Sequence, residues 1–496
     1  MAFKHGVYTS EVPTSIISPV EIDAGLPVVF GTAPVHLSKE KEWPVNKPIL
    51  CSNYQDAVSA FGYSDDWENY TLCEFMYSQC TLFGYAPFVL VNVLDPAQHK
   101  ITVTNSELAV TDNKVSIAEP IILSSLVVKK VEAGQPLKLN IDYTVAFDSD
   151  GIVQIVLLQS ENNAIAGETT VSDVVAGGAE EITNIVVSYD KVDPSAVTKA
   201  DIIGGIDITT GKSTGLELIE EVFPRTRKIP GIIGAPKWST DSEVAAVMAA
   251  KTTAINEIFD CVCVVDLPTD TLTKYSDVPE YKNKHNLTST NMYLCWPMVK
   301  LGDRKYHLST QAIGVMNKTD ASYDDIPYAS PSNESLQCDT ACLADGSEIT
   351  LSLTQANYLN GNGIATAFNF TGWKLWGNYT AAYPDSTDVK DVFLMQRRMM
   401  AYVGNTLVRT FWQKVDKPTN KALIKTILDS VNIWLNSLVG SALLGARAEF
   451  LQSENATTDL MNGAITFHIY MTGANPAQEI NFKKEYDPSY LSTLFN

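Results

Sequence analysis

Gly231-Ile-Ile-Gly-Ala-Pro236, then Ser239-Thr-Asp241 opening a run with Val244, Val247, Met248 and Ile255 at helical spacing, then Phe259-Asp-Cys-Val-Cys-Val-Val265: this stretch decides the fold class. Two short, mainly apolar runs separated by a helix describe a β-α-β unit, which joins neighbouring parallel strands. Strands that are apolar on both faces need cover on both sides, so the unit predicts a layered α/β body. The second strand is read as Phe259 to Leu267, with Cys261 and Cys263 on one face.

Upstream, Phe88-Val-Leu-Val-Asn-Val93 reads as another buried strand, and Tyr54 to Phe61 and Thr71 to Phe83 carry helical spacing. Residues 31–96 and 201–385 are therefore assigned to the α/β main body, with 320–366 expected to be loop-heavy. Residues 97–200 differ: none of the 8 Trp, 8 Cys or 11 Met falls there, and seven basic residues face fourteen acidic ones. Short strands are expected at Ile121 to Val131, Leu137 to Phe147, Ile152 to Leu158 and Ile182 to Ser188, with Asp148-Ser-Asp-Gly151 as a hairpin turn. This is a β-rich outward insertion.

Downstream, residues 386–478 predict an α+β C-terminal domain. One helix is expected over Val389 to Phe411. A second follows Pro418, with Ile424, Ile427, Leu428, Val431, Trp434, Leu435 and Leu438 on one face. Strands are expected at Arg447 to Leu451, Ala464 to Met471 and Glu479 to Glu485, so that 479–496 is a strand and an aromatic arm. Residues 1–30 read as an extended arm and linker: Val7-Tyr8-Thr9 is strand-like, and Pro13, Pro19 and Pro27 exclude a helix. The fold class is thus α/β and α+β multidomain, with an all-β insertion.

Composition narrows the function. The 496 residues carry 36 Lys+Arg against 57 Asp+Glu, a net charge of −21, which argues against a nucleic-acid surface. No run approaches the roughly 18 apolar residues of a membrane span, and the N-terminus lacks the build of a signal peptide. The cysteines lack C-x-x-C spacing, and the six histidines form no metal-binding arrangement, so no cofactor or metal is expected. Between Lys390 and Lys425 eight basic residues face two acidic ones. Lys417, Lys421 and Lys425 recur every four residues, which places them on one helix face as either a solvated surface or a dock for an acidic partner.

Catalytic motifs are weak. Gly211-Lys212-Ser213 ends like a phosphate-binding loop, but the first glycine such a loop needs would be at 206, which is Ile. Gly211-Lys212-Ser213-Thr214-Gly215 also spells a nucleophile turn, with His285, His307 and His468 as conceivable partners. The plainer reading, a glycine-rich turn before a helix, is preferred, and no enzyme is expected.

The opening His5-Gly-Val-Tyr-Thr-Ser-Glu-Val-Pro13 and Pro27-Val-Val-Phe-Gly-Thr-Ala-Pro34 resemble the start of contractile tail sheath proteins of phages and related injection particles. Ile203-Gly-Gly-Ile-Asp-Ile-Thr-Thr-Gly-Lys-Ser-Thr-Gly215, Val222-Phe-Pro, Pro230 to Pro236, Trp376-Gly-Asn-Tyr-Thr380, Arg397-Arg398 and Ile480-Asn-Phe-Lys-Lys484 extend the likeness in order along the chain. The resemblance implies a structural subunit, stacked in six-fold rings around a rigid tube and contracting without nucleotide. Implied partners are further copies, the inner tail tube protein, and baseplate and tail terminator proteins, with no nucleic acid and no membrane insertion. The implied setting is a virion tail or an extracellular contractile particle, assembled in the bacterial cytoplasm. It also implies inter-subunit β-augmentation by both arms, through Val7, Tyr8 and Thr9 and through Ile480, Phe482 and Lys483, and a tube-facing role for Lys417, Lys421 and Lys425. Another assembly protein, such as a capsid or baseplate component, and a serine hydrolase using Ser213 remain as alternatives.

Overall fold

A computed structural model of the chain describes residues 19, 20, 22, 24–148, 151–158 and 182–495. Its largest element is an eight-stranded sheet in the order Ile49–Cys51, Phe88–Asn92, Pro27–Gly31, Ile232–Gly234, Val262–Asp266, Met292–Cys295, Ile364–Asn369, Trp373–Trp376. The six inner strands run parallel, and each outermost strand is antiparallel to its neighbour. Every residue of Pro27–Gly31, Phe88–Asn92 and Val262–Asp266 is buried, as expected of strands covered on both faces. Helix Leu308–Ala321, itself almost wholly buried, packs over the sheet. Gly314 permits its close approach to the segment Ser78–Phe83, since a Cβ would lie 2.3 Å from the Phe83 ring.

Several expectations shift. Pro27–Gly31 is not arm or linker: it is an inner strand of the protomer's own sheet, paired with Phe88–Asn92 and Ile232–Gly234. The helix after Asp241 spans only Ser242–Ala250, so Ile255 lies beyond it. The Thr71 helix changes after Tyr77 to wider π-type turns over Ser78–Phe83. The loop-heavy 320–366 stretch contains helix Leu353–Asn360, closed by a capping box between Ser352 and Gln355. The expected Val389–Phe411 helix breaks at Phe393 into Val389–Val392 and Leu394–Phe411. There the Leu394 N–H donates to the Asn378 carbonyl (3.0 Å) and leaves the helical ladder.

Between Lys100 and Val192 the chain forms two three-stranded sheets, Lys100–Ala109/Asn184–Val192/Val127–Lys129 and Lys114–Ile117/Val153–Leu157/Tyr143–Phe147. They enclose a separate hydrophobic cluster that includes Val128, Ile155, Val187 and Tyr189. Lys100 pairs with Val192, so the excursion leaves and re-enters at one point. Strands Lys100–Ala109 and Lys114–Ile117 escaped the sequence reading. The first is mostly exposed and rich in Thr, Asn and Ser, so it lacks the apolar alternation that marks a half-buried strand.

The C-terminal part consists of helices Leu394–Phe411 and Lys421–Leu438 and an antiparallel ribbon, Leu443–Glu449 with His468–Gly473. Ile427, Val431, Trp434 and Leu435 form the buried stripe of the second helix, which lies against the ribbon. A buried two-pronged ion pair, Arg398 with Asp320, ties the long helix to Leu308–Ala321 (Nη1 to Oδ1 3.0 Å).

Candidate assembly interface

The ribbon is the unfinished part of the molecule. Among the described residues the ladder ends at these two strands: no further strand pairs with the His468–Gly473 edge, while the Leu443–Glu449 edge is engaged only at Leu443, which is bridged to Val439, and at Ala448. A two-stranded sheet is marginal by itself, and an open edge is a template for another strand. One ribbon face is covered by helix Lys421–Leu438, through Leu443 and Ala448. The other carries Arg447 stacked over the Tyr470 ring at 4.0 Å and paired with Glu449 at 2.7 Å. Ala448 is held to the helix by its N–H donating to the Asn432 side chain (2.8 Å), which returns a donor to the Ala448 carbonyl (3.0 Å).

The two chain ends leave this region at opposite ends of the long helix. The Val20 N–H donates to the Thr410 hydroxyl (3.0 Å), near the helix C-terminus. At the other end the Gln396 side chain donates to the Ala474 carbonyl (3.3 Å) and the Asn475 side chain (2.9 Å). Fourteen residues of helix separate these points, about 21 Å at 1.5 Å per residue. Val7, Tyr8 and Thr9 lie outside the described residues. Ile480, Phe482 and Lys483 are exposed and lie in no regular element, without the strand expected at Glu479 to Glu485. A strand needs a backbone partner, and among the described residues this stretch has none.

The lysine face is also corrected. Lys421 and Lys425 are exposed on the first two turns of their helix, but Lys417 is not on it. Lys417 precedes Pro418, which disfavours helical backbone in the residue before it. The helix begins after Asn420, whose side chain accepts from the Leu423 N–H at 2.9 Å.

The serine turn has a packing explanation. Ser213 pairs with Ile206 in a two-residue ribbon. Gly204 and Gly215 lie back to back: a Cβ on Gly204 would sit 1.9 Å from the Thr214 carbonyl oxygen, and one on Gly215 2.4 Å from that of Ile202. The spacing of the glycines thus serves a backbone crossing. The three histidines considered as partners are engaged elsewhere: His285 with the Tyr281 carbonyl, His307 with Glu74, His468 with Glu454.

One polar cluster was not legible in the sequence. At the C-terminal ends of the parallel strands, beside a depression of about 560 Å³, buried Glu74 accepts from the His307 N–H and meets its Nδ1, both at 2.8 Å. Buried Asp266 accepts from the Ser309 N–H at 2.8 Å. Burial pulls the His307 pKa down, but the Glu74 and Asp266 carboxylates outweigh it and hold the imidazole at about 8. Glu74 and His307 are 233 residues apart, so no local motif announces them. Among the described residues no group of three or more His, Cys, Asp or Glu is arranged to hold a metal ion, and no helix is long and apolar enough to cross a membrane.

No protein-family model matches the chain. The tail sheath protein of Burkholderia phage BcepMu is 27% identical over 99% of this chain and 98% of its own length. A putative prophage major tail sheath protein of Pseudomonas aeruginosa is 25% identical over 69% of this chain and 88% of its own. The tail sheath protein of Escherichia phage P2 is 25% identical over 60% and 74%. Among solved structures, the contracted sheath complex of the extracellular contractile injection system PVC shares the fold with a TM-score of 0.57 over 99% of both chains, at 12% identity. A chain of the anti-feeding prophage (AFP) baseplate does so with a TM-score of 0.55 over 98% of this chain and all of its own, at 14% identity. Sequence likeness runs from end to end and the fold is shared over the same span, so along its whole length the chain is similar to contractile tail sheath proteins.

Proposed function

We propose that this chain is the structural subunit of a contractile sheath, polymerising with copies of itself as stacked six-fold rings around a rigid tube and shortening without nucleotide hydrolysis. The observation that carries this reading is the C-terminal ribbon, which carries no further strand on its His468–Gly473 edge among the described residues, together with chain ends that leave about 21 Å apart on helix Leu394–Phe411. The ribbon is extended by strands from neighbouring copies, Val7 to Thr9 from the N-terminal arm and Ile480 to Lys483 from the C-terminal arm. The β-rich insertion at 97–200 then faces outward, and the baseplate and tail terminator cap the stack.

Magnitudes support a joint that persists through movement. A six-residue strand laid along one edge adds up to about six backbone hydrogen bonds, each contributing about 0.5–1.5 kcal/mol net. Screened contacts of Lys421 and Lys425 with an acidic tube contribute only about 0–1 kcal/mol each. Such a lattice keeps its strand joints while its grip on the tube releases. Lys417, outside the helix, belongs to the rim of that face.

Deleting residues 1–15 tests the reading: folded protomers are expected that no longer form long cylinders in negative-stain micrographs. Cylinders like those of the full chain would refute it. Closed shells or flat discs from the full chain would instead favour a capsid or baseplate role.

A further inference from the structure

Asn-Gly occurs three times in the chain, at Asn360-Gly361, Asn362-Gly363 and Asn462-Gly463, and the fold treats the three differently. The dipeptide carries its own chemistry. With no Cβ on the second residue, the glycine backbone nitrogen reaches the asparagine side-chain carbonyl carbon and attacks it. The new N–C bond closes a five-membered succinimide, and the glycine N–H proton leaves with the side-chain NH2 as ammonia. Water then opens the ring at either carbonyl, giving aspartate or, with one extra backbone carbon, isoaspartate. The step needs an asparagine side chain free to swing and a glycine backbone free to turn toward it.

Two of the pairs are clamped. Asn360 ends helix Leu353–Asn360, and the Gly361 N–H donates to the Asn357 carbonyl at 2.8 Å. The Asn360 side-chain amide, turned so that both its ends are satisfied, donates to the Trp376 and Ile364 carbonyls at 2.8 and 2.9 Å. Asn362 donates from its side chain to the Tyr358 carbonyl (2.8 Å), and its backbone carbonyl accepts from buried Lys282 (2.7 Å). Gly363 is buried, and a Cβ there would lie 2.6 Å from the Thr380 and Tyr383 carbonyl oxygens, so its backbone has no room to turn. Asn462 has none of this. It is exposed, and among the described residues its side chain makes no hydrogen bond. Gly463 is exposed too, with open space where a Cβ would stand, and its N–H donates to the Leu460 carbonyl at 3.2 Å. Glycine serves there to turn the chain out of helix Thr457–Met461, at φ +82°.

We propose that Asn462 is a site of spontaneous covalent modification, converting to aspartate and isoaspartate in the folded protein while Asn360 and Asn362 are protected, and that the isoaspartate product loosens the approach to the ribbon. At the protected pairs several hydrogen bonds must open before attack, and at Asn462 only one long one, so the expected contrast in rate is at least about tenfold. The consequence follows from what lies just beyond Gly463. The Ala464 N–H donates to the Asp459 carbonyl (2.9 Å), and the Asn455 side chain holds Thr466 by its N–H (2.8 Å) and its carbonyl (2.9 Å), which fixes the lead into strand His468–Gly473. Isoaspartate lengthens the backbone by one carbon between helix Thr457–Met461 and this clamp. One folded chain and water suffice, so the modification does not depend on whether copies assemble.

The test incubates the full chain in mildly alkaline buffer and locates conversion by peptide mapping with mass spectrometry. In the folded chain, conversion at Asn462 is expected at least about tenfold above that at Asn360 and Asn362. In concentrated guanidinium chloride only the shared Asn-Gly sequence remains, and the three should converge to within about threefold. Asn462→Gln, at an exposed position whose fold circular dichroism checks, should remove most of the isoaspartate that isoaspartate-specific methylation reads in the folded chain. In the isoaspartate fraction, separated by anion exchange, amide hydrogen exchange at Ala464 and Thr466 should quicken at least about tenfold. Freshly prepared Asn462→Asp, which adds the charge without the backbone carbon, should exchange like the parent. No conversion at Asn462, equal conversion at all three pairs in the folded chain, or a contrast that survives unfolding would each overturn the proposal. So would an isoaspartate signal retained by Asn462→Gln, unaltered exchange in the isoaspartate fraction, or equally fast exchange in Asn462→Asp.

Discussion

Replacing Arg398 with Met is expected to uncouple the long C-terminal helix from the main sheet's cover. Arg398 and Asp320 are 2% and 4% exposed at their side chains and meet through two parallel hydrogen bonds. Methionine keeps most of the side-chain volume but leaves the Asp320 carboxylate buried without a counter-charge, and Asp325 adds a like charge nearby. Breaking such a pair from one side destabilises by about 3–5 kcal/mol. With a urea m-value of about 3 kcal/mol/M, the first unfolding transition falls by roughly 1–1.7 M. The double variant Arg398→Met/Asp320→Leu removes both charges and is expected within about 1 kcal/mol of the parent. Tryptophan fluorescence on urea titration reads all three proteins. A single variant within about 0.5 kcal/mol of the parent, or a double variant as unstable as the single, would refute the reasoning.

Three further outcomes follow from the geometry. His307 is raised from an ordinary 6.5 to about 8, so its pairing with Glu74 stabilises fully below about pH 6.5 and fades as the pH rises through about 8. The shift corresponds to about 2 kcal/mol; thermal unfolding between pH 6 and 8 should show it, and Glu74→Gln should flatten the profile. Two groups have the opposite sign: Lys282, buried and lowered to about 8, whose native-state penalty fades only above that pH, and His36, lowered by burial to about 4, whose penalty fades as the pH rises past about 6.5, so the difference between the parent and Glu74→Gln, not the parent profile alone, isolates His307. Gly215→Ala places a Cβ against the Ile202 carbonyl at positive φ and should cost at least about 2 kcal/mol, whereas Ser213→Ala should stay within about 0.5 kcal/mol and leave cylinder assembly unchanged. Charge reversal at Lys421 and Lys425 should weaken co-sedimentation with tube, more at low salt than at high, while tube-free contracted sheath still forms.

What the residue order determined by itself is whatever is encoded over one or two turns of chain. The strands of the Gly231–Val265 unit and the run at Phe88–Asn92 are legible because a short continuous apolar run marks a strand covered on both faces, and the face from Ile427 to Leu438 because helical burial repeats every 3.6 residues. Breaks were legible only where the breaker is local. Pro418 excludes Lys417 from its helix and was misread, yet the cue stood in the sequence; the break at Phe393 depends on an Asn378 carbonyl brought from another segment. Only the tertiary structure decided that Pro27–Gly31 is an inner strand, since an extended apolar run suits an arm as well as a sheet centre. The same holds for the Arg398–Asp320 and His307–Glu74 pairs, 78 and 233 residues apart. Their partners are chosen by which elements the sheet order brings together, and that choice leaves no periodic trace along the chain.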